Sequence, residues 1–312
     1  MSNLSSEDDR NALFSEIFPS PRPLKLAAIS IALNAFSSIT ACIGNVLILV
    51  ALYKVTSISP PTKILFVSLA VTDLLTGLIL QPLLVVHAII TSVIISTNLS
   101  YFSEQVNSVL GFILTTLSIL TSTAISVDRL LALVLGLVYR NVVTLRRVRV
   151  IVICIWLLSC MLGGWRCTTV AADLAKLVFL VVVGLCFITS IASYIKIYSL
   201  LYRHRRQVHG HFKRAQQQSN RTAQLNEARF KKTVSSIAWI QFTLILLFIP
   251  CIVVAILWIN KIIPSGIPGA ILFRVSFSVF YLNSSLNPIL YVWKIREVKN
   301  IVKADLMKLK CC

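Results

Sequence analysis

Charge is what this chain has least of. Acidic and basic side chains make up 13% of its 312 residues, against 57% hydrophobic, and mean hydropathy is +0.84. Soluble domains carry roughly 25% charged residues to cover their surface, so this composition excludes one and leaves a polytopic membrane protein. Acids are scarcer still: 11 Asp and Glu against 30 Lys and Arg leave a net charge of +19. Also missing are His-Glu-x-x-His, Gly-x-Ser-x-Gly and a pair of intramembrane aspartates, which removes the common signatures of an intramembrane enzyme. The two halves show no self-similarity of the kind that builds inverted-repeat transporters. Residues 1–25 lack the basic start and short apolar run of a cleavable signal.

What is present is a series of apolar stretches, each near the ~20 residues a bilayer crossing needs. They fall at 26–54, 61–90, 103–135, 147–165, 174–202, 233–258 and 268–293. The chain divides into a polar tail (1–25), a membrane domain (26–293) and a C-terminal segment (294–312). Basic residues cluster on one side. Arg140, Arg146, Arg147 and Arg149 precede the fourth stretch; Arg203 through Lys232 fill the longest loop; Lys294, Arg296, Lys299, Lys303, Lys308 and Lys310 follow the last. The opposite loops hold Arg166, Lys176 and Lys261. Cytosolic loops concentrate Lys and Arg, so the N-terminus is expected outside and the C-terminus in the cytosol. That pattern points to anionic inner-leaflet lipid, not nucleic acid. Asn3 and Asn98 open sequons on the expected outer side. Cys42, Cys154, Cys160, Cys186 and Cys251 lie inside spans, where a small core thiol is expected. Cys167 has no obvious partner, so no outer disulfide is expected.

Several spans carry polar residues that hydrocarbon cannot hydrate: Asn45, Asp73, Ser118, and Asn283 with Asn287 one turn apart on a shared face. Any one of them is explained as hydrogen-bonded helix glue. A mid-membrane carboxylate, however, costs about 2.5–3.5 kcal/mol unless paired or hydrated. Asp73 with hydroxyl and amide neighbours is what a small cation site uses. Asp128-Arg129 ends the third span, an adjacent pair able to hold the guanidinium until another partner draws it away. Trp156 is expected to anchor the fourth span by packing. Pro250 is expected to kink the sixth. After the seventh, Ile295, Val298, Val302, Leu306 and Leu309 recur at helical spacing against lysines and Arg296, the pattern of an amphipathic helix lying on a membrane.

Taken in order, Gly44-Asn45, Leu69-Ala70-Val71-Thr72-Asp73, Asp128-Arg129, Trp156, Tyr194, Pro250 and Asn287-Pro288-x-x-Tyr291 make the chain resemble a rhodopsin-like (class A) G-protein-coupled receptor over nearly its whole length. The resemblance implies an all-α seven-helix bundle with a short eighth helix, no catalysis, an extracellular ligand and a heterotrimeric G protein, with arrestin a further partner. It implies an interior sodium pocket lined by Asn45, Asp73, Ser118, Asn283 and Asn287. Asp128, Arg129, Tyr139, Tyr194 and Tyr291 would serve G-protein coupling, Phe248 and Pro250 would form the switch of a swinging helix six, and Cys311 and Cys312 would be palmitoylated.

The chain also departs from the family pattern. Leu130 replaces the tyrosine after Asp-Arg, Phe248 the usual tryptophan, Leu244 a common phenylalanine, Glu104 the helix-three cysteine and Cys186 the helix-five proline. Phe230, Lys231 and Lys232 stand where an acid would face Arg129, implying a weak inactive-state latch and raised basal signalling. The short second outer loop and Tyr139-Arg140-Asn141-x-Val143-Thr144 look like the melanocortin, cannabinoid, lysosphingolipid and adenosine group. Gly111 replaces the amine-binding aspartate, no lysine occurs in span seven for retinal, and Ala255 replaces the adenosine-type asparagine. The ligand cavity is expected among Gly111, Phe112, Thr115, Val178, Val182, Cys251, Ile252, Phe277 and Tyr281, with Glu104, His87 and Arg274 charging its mouth. Such a cavity suits a lipid-like ligand or a small peptide.

Overall fold

A backbone crossing lipid must satisfy its own N–H and C=O groups, and the α-helix does so within a single segment. The computed structural model describes residues 21–93, 97–165, 172–212, 242–243, 245–254, 256–257, 262, 267–294 and 296–310, and their regular structure is helical throughout. In chain order these are α1 (Pro21–Lys54), α2 (Pro60–Leu75), α3 (Gln81–Val93), α4 (Thr97–Leu135), α5 (Tyr139–Val142), α6 (Leu145–Trp165), α7 (Ala172–Phe212), α8 (Ile245–Val254), α9 (Ile267–Lys294) and α10 (Arg296–Lys310). A π turn, Thr76–Leu80, joins α2 to α3 into one span, and a 3-10 turn, Gly136–Val138, leads from α4 to α5. Five of the described helical spans are long and apolar enough to cross a membrane. They are the first five expected stretches, while α8 is a shorter apolar helix within the sixth and α9 supplies the seventh.

Local chemistry sets the boundaries. Pro60 and Pro61 open α2, where a missing N–H has no helical partner to lose. The π turn precedes Pro82, whose ring and absent donor disturb the regular ladder. The Ser38 hydroxyl on α1 donates to the Gly77 carbonyl there at 2.7 Å. Gly136 takes φ +51°, a left-handed conformation available to glycine at little cost, and turns the chain out of α4. Two expected limits are corrected. α4 begins at Thr97, well before 103, because Ser103 and Asn107 bond back to the carbonyls of Ser100 and Ser103 and extend the helix through polar sequence. α7 runs to Phe212, past 202, since hydropathy marks where lipid ends and not where the helix does.

Packing sorts the side chains. One apolar cluster joins Ile48, Leu52, Phe66, Leu69 and Tyr291 near the Arg129 end. A second, toward the opposite end, joins Leu80, Leu117, Phe248, Phe280 and Tyr281. Between them along the helices lie Asn45, Asp73, Asn283 and Asn287. Outward stripes such as Phe36, Ile39, Ile43, Val46 and Val50 on α1 are exposed, as lipid-facing residues should be. Cys154 and Cys160 also fall on the exposed side of α6, which corrects their expected place in the core; Cys186 and Cys251 are buried and Cys42 is intermediate.

α10 docks by its apolar face, with Val298 and Val302 buried in the first cluster. The Glu297 carboxylate accepts the backbone N–H groups of Thr56 and Ser57 at 3.0 and 3.2 Å, and Lys54 Nζ pairs with Asp305 at 2.7 Å. Hydrogen bonds from Ser57 and then Thr56 hold the Glu297 carboxyl below the usual carboxylate range. A lowered folded-state value stabilises the fold above the unfolded value near pH 4.3, and that gain disappears as pH falls through the folded one. The thermal midpoint of wild type should therefore exceed that of Glu297→Gln above about pH 5, and the gap should close below about pH 3.

Candidate functional site

Asp73 is the organising residue of the buried layer. It is fully buried on α2, and Asn287 Nδ2 on α9 donates to its Oδ2 at 2.7 Å. Asn45 Nδ2 on α1 donates to the Ser284 carbonyl at 3.0 Å, bracing α9 from the other side. That reach depends on Gly44: a Cβ there would stand 2.8 Å from the Pro288 ring, so the two helices meet backbone to ring. Beside this layer lies a small cavity with about 10 Å³ of room for a water-sized centre, lined by Thr76, Leu114, Thr115, Ser118, Phe280, Tyr281, Asn283 and Ser284. Thr76 is one turn from Asp73, and Asn283 one turn from Asn287. Asp73 Oδ1, Asn45 Oδ1, Asn283 Oδ1 and Asn287 Oδ1 are buried acceptors without a protein donor among the described residues. Of the expected polar set, Asp73 and Asn287 are bonded to each other and Ser118 and Asn283 line the cavity, while Asn45 bonds the Ser284 carbonyl.

From this layer a column of hydroxyls, Ser118, Ser122 and Ser126, descends one face of α4 toward Arg129. Ser126 hydrogen bonds with the Tyr194 hydroxyl of α7 at 3.2 Å. Arg129 is clasped by Asp128 through Nε at 3.0 Å and through Nη2, which also donates to Thr62 on α2. Asp128 in turn accepts from Thr62 at 2.8 Å and from the Tyr139 hydroxyl at 2.6 Å. Three elements, α2, α4 and α5, therefore meet on one buried acid. Tyr291 is buried edge-on to Phe66 at 5.2 Å, its hydroxyl without a partner. Phe230, Lys231, Lys232, Leu244, Ala255, Cys167, Asn3, Cys311 and Cys312 lie outside the described residues; Asn98 is exposed at the start of α4.

At the opposite end aromatic rings dominate. Phe248 packs against Phe187 and Phe280, each at 5.3 Å, and Pro250 follows it within α8. Phe112 meets Phe179 at 4.4 Å, and Phe273, Phe277 and Tyr281 form a run along α9. The Tyr281 hydroxyl occupies the space facing Gly111, where a Cβ would be 2.9 Å away. Thr115 is buried nearby, and Cys251 Sγ donates to the Ser276 carbonyl at 3.3 Å. Ile252 does not join this group: it sits on the exposed stripe Ile249, Ile252, Val253, Ile256 of the sixth span. His87 Nδ1 hydrogen bonds with Ser103 at 2.6 Å, Arg274 donates to Thr91 at 2.9 Å, and Glu104 is exposed on α4.

Sequence reading missed the partners. Thr62 completes the Asp128 network, and Ser68 accepts the Trp156 indole N–H at 3.2 Å, so Trp156 is more than a packing anchor. A polar seam between α1 and α9 was also missed. Asn34 Nδ2 donates to Ser278 at 2.7 Å, Ser37 pairs with Ser285 at 2.7 Å, and Gln81 Nε2 donates to Ser37 at 2.7 Å. Its signal was legible, since Ser30, Asn34, Ser37, Ala41 and Asn45 recur at helical spacing on one face.

The fold and its buried polar layer define an all-α, multi-pass membrane bundle. A family model described as "7 transmembrane receptor (rhodopsin family)" matches residues 44–170. The chain is similar to adenosine receptor A3 of Bos taurus, at 26% identity over 93% of this chain and 94% of that one. It is likewise similar to adenosine receptor A3 of Ovis aries, at 26% over 87% and 86%, and to adenosine receptor A2b of Gallus gallus, at 29% over 44% and 40%. Over residues 44–170 the chain is thus similar to the rhodopsin family of seven-transmembrane receptors.

The Gly44 contact has a measurable consequence. Gly44→Ala should lower stability by about 1–3 kcal/mol through overpacking against Pro288. Gly164→Ala, where nothing lies within 4 Å, should be neutral or stabilise by about 0.5–1 kcal/mol. Thermal unfolding of the two purified variants reads both signs.

Proposed function

We propose that this receptor sits in the plasma membrane with its N-terminus extracellular, binds an extracellular ligand among the aromatic residues at one end, and activates a heterotrimeric G protein at the end that carries Arg129. The observation that carries this reading is the Asp128 network. A guanidinium shared between an acid and a neighbouring helix is a two-state latch: it stays with Asp128 and Thr62 until a cytosolic helix offers it carbonyl oxygens. Outward movement of the sixth span, hinged near Pro250 with Phe248 as lever, opens that path. The ligand drives the change as far as its affinities for the two states differ. Tyr194 and Tyr291 steady the open form. Asn98 is a glycosylation site, α10 rests on anionic lipid with Cys311 and Cys312 as palmitoyl anchors, and arrestin competes for the opened face. The relatives are named for adenosine, but Ala255 in place of the adenosine-type asparagine argues for a different ligand.

Thr62→Val removes one hydroxyl from the latch and should raise agonist-free G-protein activation by about two- to tenfold, the range of one hydrogen bond. Arg129→Ala should abolish activation at matched surface expression. If wild type, Thr62→Val and Arg129→Ala all signal alike, the coupling role is wrong.

The bare oxygens beside the small cavity suit a hard monovalent cation, and sodium is the allosteric ion we propose. Asp73 would supply the charge, Ser118 a hydroxyl oxygen, and Asn45, Asn283 and Asn287 amide oxygens; oxygen ligands of this kind select hard cations. The ion would offset the buried carboxylate and favour the closed bundle. Replacing an inert organic cation by sodium should raise the thermal midpoint of wild type by roughly 2–4 °C, corresponding to about 1 kcal/mol of linkage. Asp73→Asn should show no such rise.

A further inference from the structure

Among the described residues, Arg274 has no counter-charge in contact with it. It lies on α9 near the end of the bundle opposite Arg129, partly buried, and its hydrogen-bonded partner among the described residues is the neutral hydroxyl of Thr91 on α3, at 2.9 Å. The acid on the facing helix, Glu104 of α4, is near enough for its charge to be felt, yet it is exposed and makes no ion pair with Arg274. The ion pairs among the described residues are Lys54–Asp305 and Asp128–Arg129, both at the other end. His87, one turn from Thr91 on α3, makes a 2.6 Å hydrogen bond with Ser103. A half-desolvated guanidinium facing a hydroxyl and an imidazole is electrostatically incomplete, because burying a charge is costly until an opposite charge meets it. Its planar fork of N–H donors matches a carboxylate or phosphate.

The neighbouring face of the same helix is of the opposite character. Phe273 and Phe277 stack at 4.7 Å, and Phe277 and Tyr281 lie 6.2 Å apart. Gly111 on α4 offers no side chain to this face, and the Tyr281 hydroxyl fills its place. Gly111 therefore supplies no carboxylate there to receive a cationic ligand. We propose that the receptor's ligand is an anionic amphiphile: one carboxylate or phosphate held by Arg274 and Thr91, and an apolar body laid along Phe273, Phe277 and Tyr281. This inference rests on the receptor reading above and names the class of ligand for that site.

The test uses the full chain in nanodiscs of neutral lipid and a matched series with one dodecyl tail. The headgroups are carboxylate, phosphate, hydroxyl and trimethylammonium, and binding is measured by saturation against empty nanodiscs. Both anions should bind about ten- to a hundredfold more tightly than dodecanol, the range of a charge-assisted hydrogen bond. Arg274→Gln should erase that preference while leaving dodecanol binding unchanged. Arg274→Lys, which keeps the charge and loses the fork, should retain part of it. Equal binding of anion and alcohol by wild type overturns the proposal, as does a preference that survives Arg274→Gln. Tighter binding of the trimethylammonium compound overturns it in favour of Glu104. Unchanged thermal midpoints exclude misfolding as the cause. Agonist-free G-protein activation, lost in Arg129→Ala, is read separately, so failure of the anion leaves the receptor reading standing.

Discussion

The hydrogen bond from Asn287 to Asp73 expresses the constraint on which the bundle depends. Inside hydrocarbon no water waits to solvate an exposed carboxylate or amide, so each buried polar group must find a partner on another helix. That requirement ties α2 to α9, and the Asn45 bond to the Ser284 carbonyl ties α1 to the same helix. Apolar contact alone gives little orientation in a solvent as apolar as the side chains. Here polar pairs decide which faces meet, and lipid takes the rest.

The remainder of the architecture makes those pairs reachable. Gly44 lets α1 close on Pro288, and Gly77 lets α1 close on the π turn, where a Cβ would meet Ala41 at 2.8 Å. The seam of Ser30, Asn34, Ser37 and Gln81 continues the same bracing toward the opposite end, so α1 and α9 act as one hydrogen-bonded unit. Against that pair, α7 and α8 meet the core through rings such as Phe187 and Phe248 and through single hydrogen bonds, Ser126 with Tyr194 and Cys251 to Ser276. A contact of rings can slide where a bonded seam cannot.

The two ends of the chain are built for opposite tasks. At one, Arg129 is compensated by Asp128 and steadied by Thr62, ready to exchange partners. At the other, Arg274 donates to the Thr91 hydroxyl and lies on the same helix as a run of aromatic rings. The first end keeps the pattern of the rhodopsin family, to whose model residues 44–170 are similar. The second departs from it at Gly111 and Glu104, and Tyr281 moves into the space that Gly111 leaves.

The membrane class, the spans and the polar positions within them were legible in the chain itself, because they follow from composition and from spacing along one helix. Asp73, Asn287 and the Asp128-Arg129 pair stood out for the same reason: each is costly in its local setting whatever surrounds it. The sequence did not reveal Thr62, Ser68 or Ser284 as partners, nor that Ile252 and Cys160 face outward while Cys251 faces in. Nor did apolar length foretell that α4 starts at Thr97 or that α7 reaches Phe212. A residue's cost is set by its own chemistry and can be read along the line; its relief is set by whichever helix lies opposite, and only tertiary packing chooses that helix.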